Sequence, residues 1–477
     1  MNIIDNDLLS IQEARILIEN ARDAQKLLAS FSQEKLDEIV ERMAEEISEH
    51  TLELAQMSFE ETDYGKPEDK CIKNRFVCEY LPVKLRGMRC VGVIRRDETN
   101  KTMDVGVPVG VIVALCPATS PVSTTIYKAL VAIKAGNAIV FSPHPRAKKT
   151  MEKTLDILIR AAEGYGLPPG ALSYLHTVTR SGTQELMDHK DTALIINTGV
   201  PKMLKAAYRS EKPIIYGGNG NGPAFIERTA DVRQAVRDII ASKTFDNGIV
   251  SAAEQSIVVD SCIEPRVRAE LKEKGAYFMS EDEADRAGAM FFHPDGSTDS
   301  EMVGKSAEEL ARIAGFAVPE GTKLLVAEQK YVSENNPYSK EKLGPILAYY
   351  IEDDWMHACE KCIELLLSER RGHTLVIHSN DEEVIRQFVL KKPVGRVLVN
   401  TPASIGSMGA TTNLFPAMTL GSGSAGEGMT SDNVSPMNLI YEKNSQCSES
   451  LSQYLRLGGR TFQIRTHCGK AQRGLFF

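Results

Sequence analysis

Between residues 32 and 47 the apolar positions fall at helical spacing: Leu36, Ile39, Val40, Met43 and Ile47 make one stripe, and Ser32 is placed to cap the first turn. Residues 10–88 read throughout as packing helices with solvated Glu/Arg faces. Residues 91–106 change period: Val91-Gly-Val-Ile-Arg-Arg96 and Lys101-Thr-Met-Asp-Val-Gly-Val107 read as two strands around a polar turn. From residue 107 short apolar runs alternate with helical patterns. Val109–Leu115, Ala138–Phe141, Leu172–Leu175, Ala193–Ile196 and Pro213–Tyr216 read as strands, and Val122–Ala135 and Ala147–Tyr165 as helices. Near-continuous apolar strands alternating with helices predict an α/β fold with a doubly wound parallel sheet, whose ligands sit at the carboxyl ends of the strands. A second α/β block runs from about 240 to 420, followed by a flexible loop, Gly421-Ser-Gly-Ser-Ala-Gly-Glu-Gly428. In the tail, Arg460-Thr-Phe-Gln-Ile-Arg-Thr466 alternates like a strand that cannot form a core alone.

Composition narrows the function classes. A chain of 477 residues suits two or three domains, and 42% hydrophobic with 25% charged residues is ordinary for a soluble globular protein. A formal net charge of −8 argues against nucleic acid or an anionic membrane as partner. No window reaches the ~18 apolar residues of a membrane span. The first residues lack the basic-then-apolar layout of a secretory signal. Nine scattered cysteines fit reduced thiols in a cytoplasm-like compartment better than a disulfide framework. Cys359-Glu-Lys-Cys362 has no second ligand pair, so it reads as a chance pair on a helix, and no metal is expected.

The chemistry concentrates in Lys243–Ser256. Asp246-Asn-Gly248 is a sharp turn followed by a small hydroxyl residue, Ser251. A nucleophile is well exposed just after such a turn, where backbone N–H groups can face the atom it attacks. By itself the pattern is weak, since most serines after Asn-Gly are ordinary turn residues. No GxGxxG fingerprint is present, and Gly217-Gly-Asn-Gly-Asn-Gly222 reads as a loop.

Lys243–Ser256 also resembles the nucleophile segment of the CoA-acylating aldehyde dehydrogenases. That branch includes the aldehyde half of bifunctional aldehyde–alcohol dehydrogenases and the microcompartment acetaldehyde and propionaldehyde dehydrogenases. The likeness runs from roughly residue 10 to 440 and is dense elsewhere too. Val107-Pro-Val-Gly-Val-Ile-Val-Ala-Leu-Cys-Pro-Ala-Thr-Ser-Pro121 is similar to the family's first strand and active-site turn. Ser142-Pro-His-Pro-Arg-Ala147 is similar to its cofactor turn, and Glu341-Lys-Leu-Gly-Pro345 to its ribose-holding segment. Leu398-Val-Asn-Thr-Pro-Ala-Ser404 and Thr419-Leu-Gly-Ser-Gly-Ser424 complete it. The tail resembles the linker between the two halves of the bifunctional enzymes, and the sequence ends there, so the aldehyde half alone is expected.

The resemblance implies a nucleotide-binding domain (1–90 and 107–238, with a return segment near 421–440), a catalytic domain (239–420), and a β arm for homo-oligomerisation (91–106 and 441–477). It implies NAD as cofactor and coenzyme A as co-substrate. A thiolate attacks the aldehyde, hydride leaves to the nicotinamide, and CoA takes the acyl group from the resulting thioester. Hydrolytic relatives carry a glutamate base in the segment matching Tyr216–Pro223; here that segment has no carboxylate, which favours acyl transfer over hydrolysis.

In that family position 251 is a cysteine, and here it is serine. A serine placed to trap a bound state and natural divergence both fit. Ser120 stands where an asparagine oxyanion donor is usual, and Val200 and Lys202 where glycines are usual; Lys202 would clash with a phosphate loop or pair with a phosphate. The expected site is therefore Ser251, Ser120 and His373, with Ser142, Pro143, Arg146, Thr198, Gly199, Gly218 and Glu341 around the cofactor. His373 would orient CoA, move a proton, or be structural. Arg146 would face an adenosine phosphate or solvent, and Cys116 reads as a buried core thiol. Three functions follow: an acylating dehydrogenase for a short aldehyde such as acetaldehyde, one for a charged aldehyde such as sulfoacetaldehyde, and a catalytically silent oligomeric member. A cytoplasmic or microcompartment location goes with the resemblance.

Overall fold

The strand–helix alternation closes into two parallel sheets in the computed structural model, which describes residues 5–100, 102–293, 298–368, 372–446, 456–457 and 460–461. The first sheet has five strands in the order Leu172–Tyr174, Ile139–Ser142, Val111–Leu115, Thr192–Thr198, Ile214–Gly217. The order reverses between Val111–Leu115 and Thr192–Thr198, so the crevice at their carboxyl ends is the switch point where such sheets receive ligands. Every residue of Val111–Leu115 and of the following helix, Pro121–Lys134, is buried, which is why neither shows an amphipathic alternation. Lys128 lies inside that helix and its Nζ donates to Leu115 O (2.6 Å) and Ile196 O (3.1 Å), tying together the two strand ends that flank the crevice. The Gln33–Ser48 helix packs against this layer with its Leu36–Ile47 stripe buried, and the Ser32 hydroxyl accepts from Lys35 N–H at 3.3 Å.

The second sheet has seven parallel strands, in the order Ala276–Phe278, Leu324–Glu328, Ile346–Glu352, Ser256–Asp260, Pro223–Ile226, Thr374–His378, Arg396–Val399. Pro223–Ile226 therefore belongs to it, although the sequence placed those residues in the first domain. The chain changes sheet within Gly218–Gly222, ahead of the expected boundary at 238. The helix Val232–Thr244 also packs on this second sheet through Val236 and Ile239.

A third sheet is antiparallel: Gly92–Asp97 pairs with Thr102–Pro108, which pairs with Ile440–Gln446. Of the tail's Arg460–Thr466 alternation, only Arg460–Thr461 is described, paired with Arg456–Leu457; residues 462–466 lie outside the described residues. Among the described residues no helix is long and apolar enough to cross a membrane. Cys359 and Cys362 are both buried on the helix Trp355–Ser368, and Lys392 Nζ donates to Cys359 Sγ at 2.5 Å.

Candidate active site

Ser251 is positioned by a strained turn. Asp246, Asn247 and Gly248 all have positive φ (49°, 51° and 74°), a run that only dense local bonding holds in place. Asp246 N–H donates to Asp69 Oδ2 (2.7 Å), Asp246 Oδ1 accepts Lys66 N–H (2.6 Å), and Asn247 Nδ2 donates to Gly304 O (2.8 Å). A Cβ at Gly248 would stand 2.8 Å from both Gly344 O and Lys243 O, so the position admits glycine alone. The chain then passes Ser251 and enters the strand Ser256–Asp260, with Gln255 N–H on Gly222 O (2.8 Å).

Ser251 is half-buried on the wall of a cleft of about 700 Å³ that opens at the switch point of the first sheet. The carboxyl ends of that sheet supply Pro117, Ser120, Thr198, Gly199, Gly217 and Gly218. The second sheet supplies segments that precede its strands: Ser251 before Ser256–Asp260, and Glu341 before Ile346–Glu352. The rule of carboxyl ends thus holds for one sheet, while the other presents amino ends. Ile249, Leu343, Met408, Met418 and Leu420 make part of the lining apolar. At Gly199 φ is 62° and an added Cβ would stand 2.9 Å from Pro117 Cβ. One at Gly217 would stand 3.1 Å from Leu420 O. The backbone at both glycines is thus packed directly against neighbouring segments of the chain at the strand ends.

The model of the aldehyde dehydrogenase family matches residues 7–413. The chain belongs to the aldehyde dehydrogenase family. The bifunctional aldehyde-alcohol dehydrogenase of Escherichia coli is 38% identical over 439 residues, 91% of this chain but 49% of that protein. The chain thus spans about half the length of the curated relatives it matches first. Among solved structures, an acetylating aldehyde dehydrogenase from Geobacillus thermoglucosidasius shares 43% identity at a TM-score of 0.91, covering 94% of this chain and 99% of its own. A propionaldehyde dehydrogenase from a Clostridium phytofermentans fucose-utilisation microcompartment shares 28% (TM-score 0.82; 90% and 96% covered). One from Rhodopseudomonas palustris, with bound CoA and an acylated cysteine, shares 25% (TM-score 0.83; 91% and 97% covered).

Against that family, six of the ten expected site residues meet in the one cleft: Ser251, Ser120, Thr198, Gly199, Gly218 and Glu341. Thr198 shares a hydrogen bond with Thr419 (2.9 Å), and Gly218 N–H donates to Ser422 Oγ (2.9 Å). The return segment Thr419–Ser424 therefore braces the Thr198–Gly218 side of the cleft. The other four lie outside the lining. Ser142 turns its hydroxyl to Thr183 (2.8 Å), and Pro143 is buried beside it. Arg146 lies over the Tyr64 ring, 5.1 Å from its centroid, and its guanidinium pairs with Glu301. The pair lies at the surface, with the arginine side chain 32% and the glutamate 67% exposed. Lys202 is exposed and outside the lining.

His373 stands just beyond Gly220: a Cβ on that glycine would lie 2.6 Å from His373 Nε2 and 2.0 Å from Ser251 O. Its Nδ1 shares a hydrogen bond with Thr374 Oγ1 (2.7 Å), and Nε2 has no partner among the described residues. Burial, aided by Arg396, pushes its pKa down to about 3, so the ring is neutral. Cys116 is a buried thiol whose pKa burial raises.

One expectation changes. The glycine run carries no carboxylate of its own, but Glu341 reaches it from the other sheet and accepts Gly220 N–H at 2.9 Å. What the sequence missed altogether stands behind Ser120. Lys73 Nζ donates to Ser120 Oγ (2.6 Å) and to Asp246 Oδ2 (2.5 Å), and Lys70 Nζ to Thr119 O (3.0 Å) and Asp246 Oδ2 (3.3 Å). Lys70 and Lys73 are three apart on the helix Pro67–Arg75 and so share a face, the only available signal, and an ordinary one for a solvated surface. Glu254, three residues past Ser251, is buried with Oε1 on Ala403 N–H (2.9 Å), and burial lifts its pKa to about 7.

Proposed function

We propose that this chain has the architecture of a CoA-acylating aldehyde dehydrogenase acting on a short, uncharged aldehyde such as acetaldehyde, with NAD as cofactor and coenzyme A as acyl acceptor. One observation carries the preference for acyl transfer over hydrolysis. The segment where hydrolytic relatives place a glutamate base holds no carboxylate here, and a Cβ at Gly220 would fall 2.0 Å from Ser251 O, so that position admits no side chain. The neighbouring Glu341 is engaged with the Gly220 N–H and suits a ribose hydroxyl better than a water. The lining favours an uncharged aldehyde: among the described residues it contains no Lys, Arg or His to match a sulfonate or carboxylate.

Thr198, Gly199, Gly217 and Gly218 would hold the nicotinamide end, which when bound supplies a hydride acceptor. Ser120 and backbone N–H groups after the 246–248 turn would hold the carbonyl oxygen. Neutral His373, with Nδ1 fixed by Thr374, orients rather than carries a proton. The antiparallel sheet leaves Gly92–Asp97 and Ile440–Gln446 as open edges, suited to joining copies of the chain into homo-oligomers. The likeness to a microcompartment enzyme supports a location in such a compartment.

Ser251 sets the limit. It lies half-buried on the cleft wall, and a serine hydroxyl not activated by an adjacent base is a poor nucleophile. We expect NADH formation from acetaldehyde, CoA and NAD⁺ near background, and a rise on the order of a hundredfold or more on Ser251→Cys. No rise, with the variant folded and binding NAD⁺, would leave the silent oligomeric member as the better reading.

A further inference from the structure

We propose that Lys70, Lys73 and Asp246 form a buried cationic support for Ser120, and that this support makes the Ser120 hydroxyl the donor that holds the carbonyl oxyanion. The inference rests on the acyl-transfer reading and adds to it residues that the site motifs do not contain.

Ser120 occupies the N-cap of the helix Pro121–Lys134, the position where a serine side chain ordinarily accepts a backbone N–H, yet its hydroxyl makes no capping bond. Its oxygen instead accepts from the Lys73 ammonium at 2.6 Å. A hydroxyl has one hydrogen to give, and with its oxygen engaged from behind, that hydrogen is left for the cleft that Ser120 shares with Ser251. A hydroxyl polarised by an ammonium is a stronger donor than an isolated one, which offsets its shorter reach relative to an amide.

The charges behind it do not cancel. Lys70 and Lys73 are 3% and 1% exposed and share the one carboxylate of Asp246, itself fully buried. Asp69 lies 3.8 Å from Lys66 and also accepts the Asp246 N–H and bears on Lys70, but within the trio itself two lysines face one carboxylate. Burial works against the Asp246 carboxylate, but the two lysines more than offset it and hold its pKa below the ordinary range, so it stays an anion. Paired to it at 2.5 Å, Lys73 serves as a donor rather than a base. As a nucleophile adds to the aldehyde carbon, the carbonyl π pair moves onto oxygen. Ser120 then strengthens its hydrogen bond to that oxygen with no proton changing hands. Ser120 touches the reacting oxygen; Lys70 and Lys73 act through it as positioning residues.

The test uses the full chain carrying Ser251→Cys, alone and combined with Lys70→Met, Lys73→Met, Ser120→Ala, or Lys73→Met with Ser120→Ala. Two quantities are read: the pH midpoint for iodoacetamide alkylation of the introduced thiol, followed on its peptide, and kcat and KM for CoA-dependent NADH formation. The titratable groups around that thiol include the trio behind Ser120, Glu341 in the cleft lining, His373 beyond Gly220 and Glu254 three residues on; only the trio changes among the lysine variants. Each lysine substitution is expected to raise the alkylation midpoint by roughly half to one pH unit. It should also lower kcat on the order of tenfold at nearly constant aldehyde KM. Once Ser120 is alanine, Lys73→Met should cost kcat nothing further. Lys70→Met leaves the Asp246–Lys73–Ser120 chain in place, so it reports even if Lys73→Met fails to fold. Unmoved midpoints in the folded lysine variants, or fully additive kcat losses, overturn the proposal. Shifted midpoints in a Ser251→Cys chain that makes no NADH would sink the acyl-transfer reading while sustaining the cationic support.

Discussion

On the proposed reading, the Ser251 hydroxyl, with a pKa far above that of a thiol, would stand where attack on a carbonyl needs an anion. The cleft around it still separates two uses of a carboxylate. If Glu341 serves the cofactor ribose, Glu341→Gln in the Ser251→Cys chain should raise the KM for NAD⁺ on the order of tenfold, the worth of a charge-assisted hydrogen bond, and leave CoA-independent acid formation unchanged. A selective loss of CoA-independent acid at constant KM would mark it as a water-activating base instead. Lys70 gives a second test, on stability. Burial, opposed by Asp246 and reinforced by Lys73, lowers its pKa from 10.5 to about 8. Between those values the unfolded chain holds a proton the folded chain has lost, so this residue makes stability rise with pH across about 8 to 10.5. Below that window both states are protonated and the buried charge costs on the order of 3 kcal/mol. Urea unfolding of Lys70→Met at pH 7 should therefore show a gain of about 1–3 kcal/mol that shrinks by pH 10. A loss at both pH values would refute the sign.

The elements carrying the site divide by how far their sequence shows what they do. Strand Val111–Leu115 is plain as an apolar run because it is buried on both faces, while the equally buried helix Pro121–Lys134 keeps polar residues such as Thr125 and Lys128. The 246–248 turn is plain because Asp-Asn-Gly is the chemistry that positive φ demands. The helix Pro67–Arg75 is the opposite case. Its lysines at 70 and 73 have the spacing of a solvated face, and only the return of Asp246 across more than 170 positions of chain turns that face inward. Arg146 misleads in a different way. It lies in a motif similar to a cofactor turn, but its charge is answered by Glu301, a partner no local pattern reveals. The loop Gly217–Gly222 looks like a linker and is one, yet its glycines are fixed by closeness rather than by flexibility. Gly220→Ala must push Ser251 O or the loop itself aside, because the new methyl would meet that oxygen at 2.0 Å. The expected cost is about 1–3 kcal/mol of stability, with loss of the activity that Ser251→Cys confers. Thermal melts and NADH assays of the double variant check both, and an alanine tolerated without either loss would remove the steric argument against a base at that position.

At the scale of the whole chain the cleft is a joint between two sheets, one offering carboxyl ends and the other amino ends, so a ligand that fills it must touch both. Gly220 N–H on Glu341 and Gln255 N–H on Gly222 O already cross this joint where the chain changes sheet. A ligand bound only by the folded chain stabilises it by RT ln(1 + [L]/Kd), about 2.7 kcal/mol at a hundredfold excess over Kd. None of the cofactor-side contacts involves the Ser251 hydroxyl: Thr198 leans on Thr419, Gly218 on Ser422, and Gly220 on Glu341. The chain should therefore bind NAD⁺ with its serine in place, and saturating NAD⁺ should raise the melting temperature by a few degrees, roughly 2–4 °C per kcal/mol for a unit of 150–250 residues. Ser251→Cys should leave that shift unchanged while creating turnover, which separates a cofactor site from a chemical step within one scaffold. A thermal shift absent from both forms, with isothermal titration likewise silent, would mean that the cleft does not receive this dinucleotide, and the silent oligomeric member would then be the better reading.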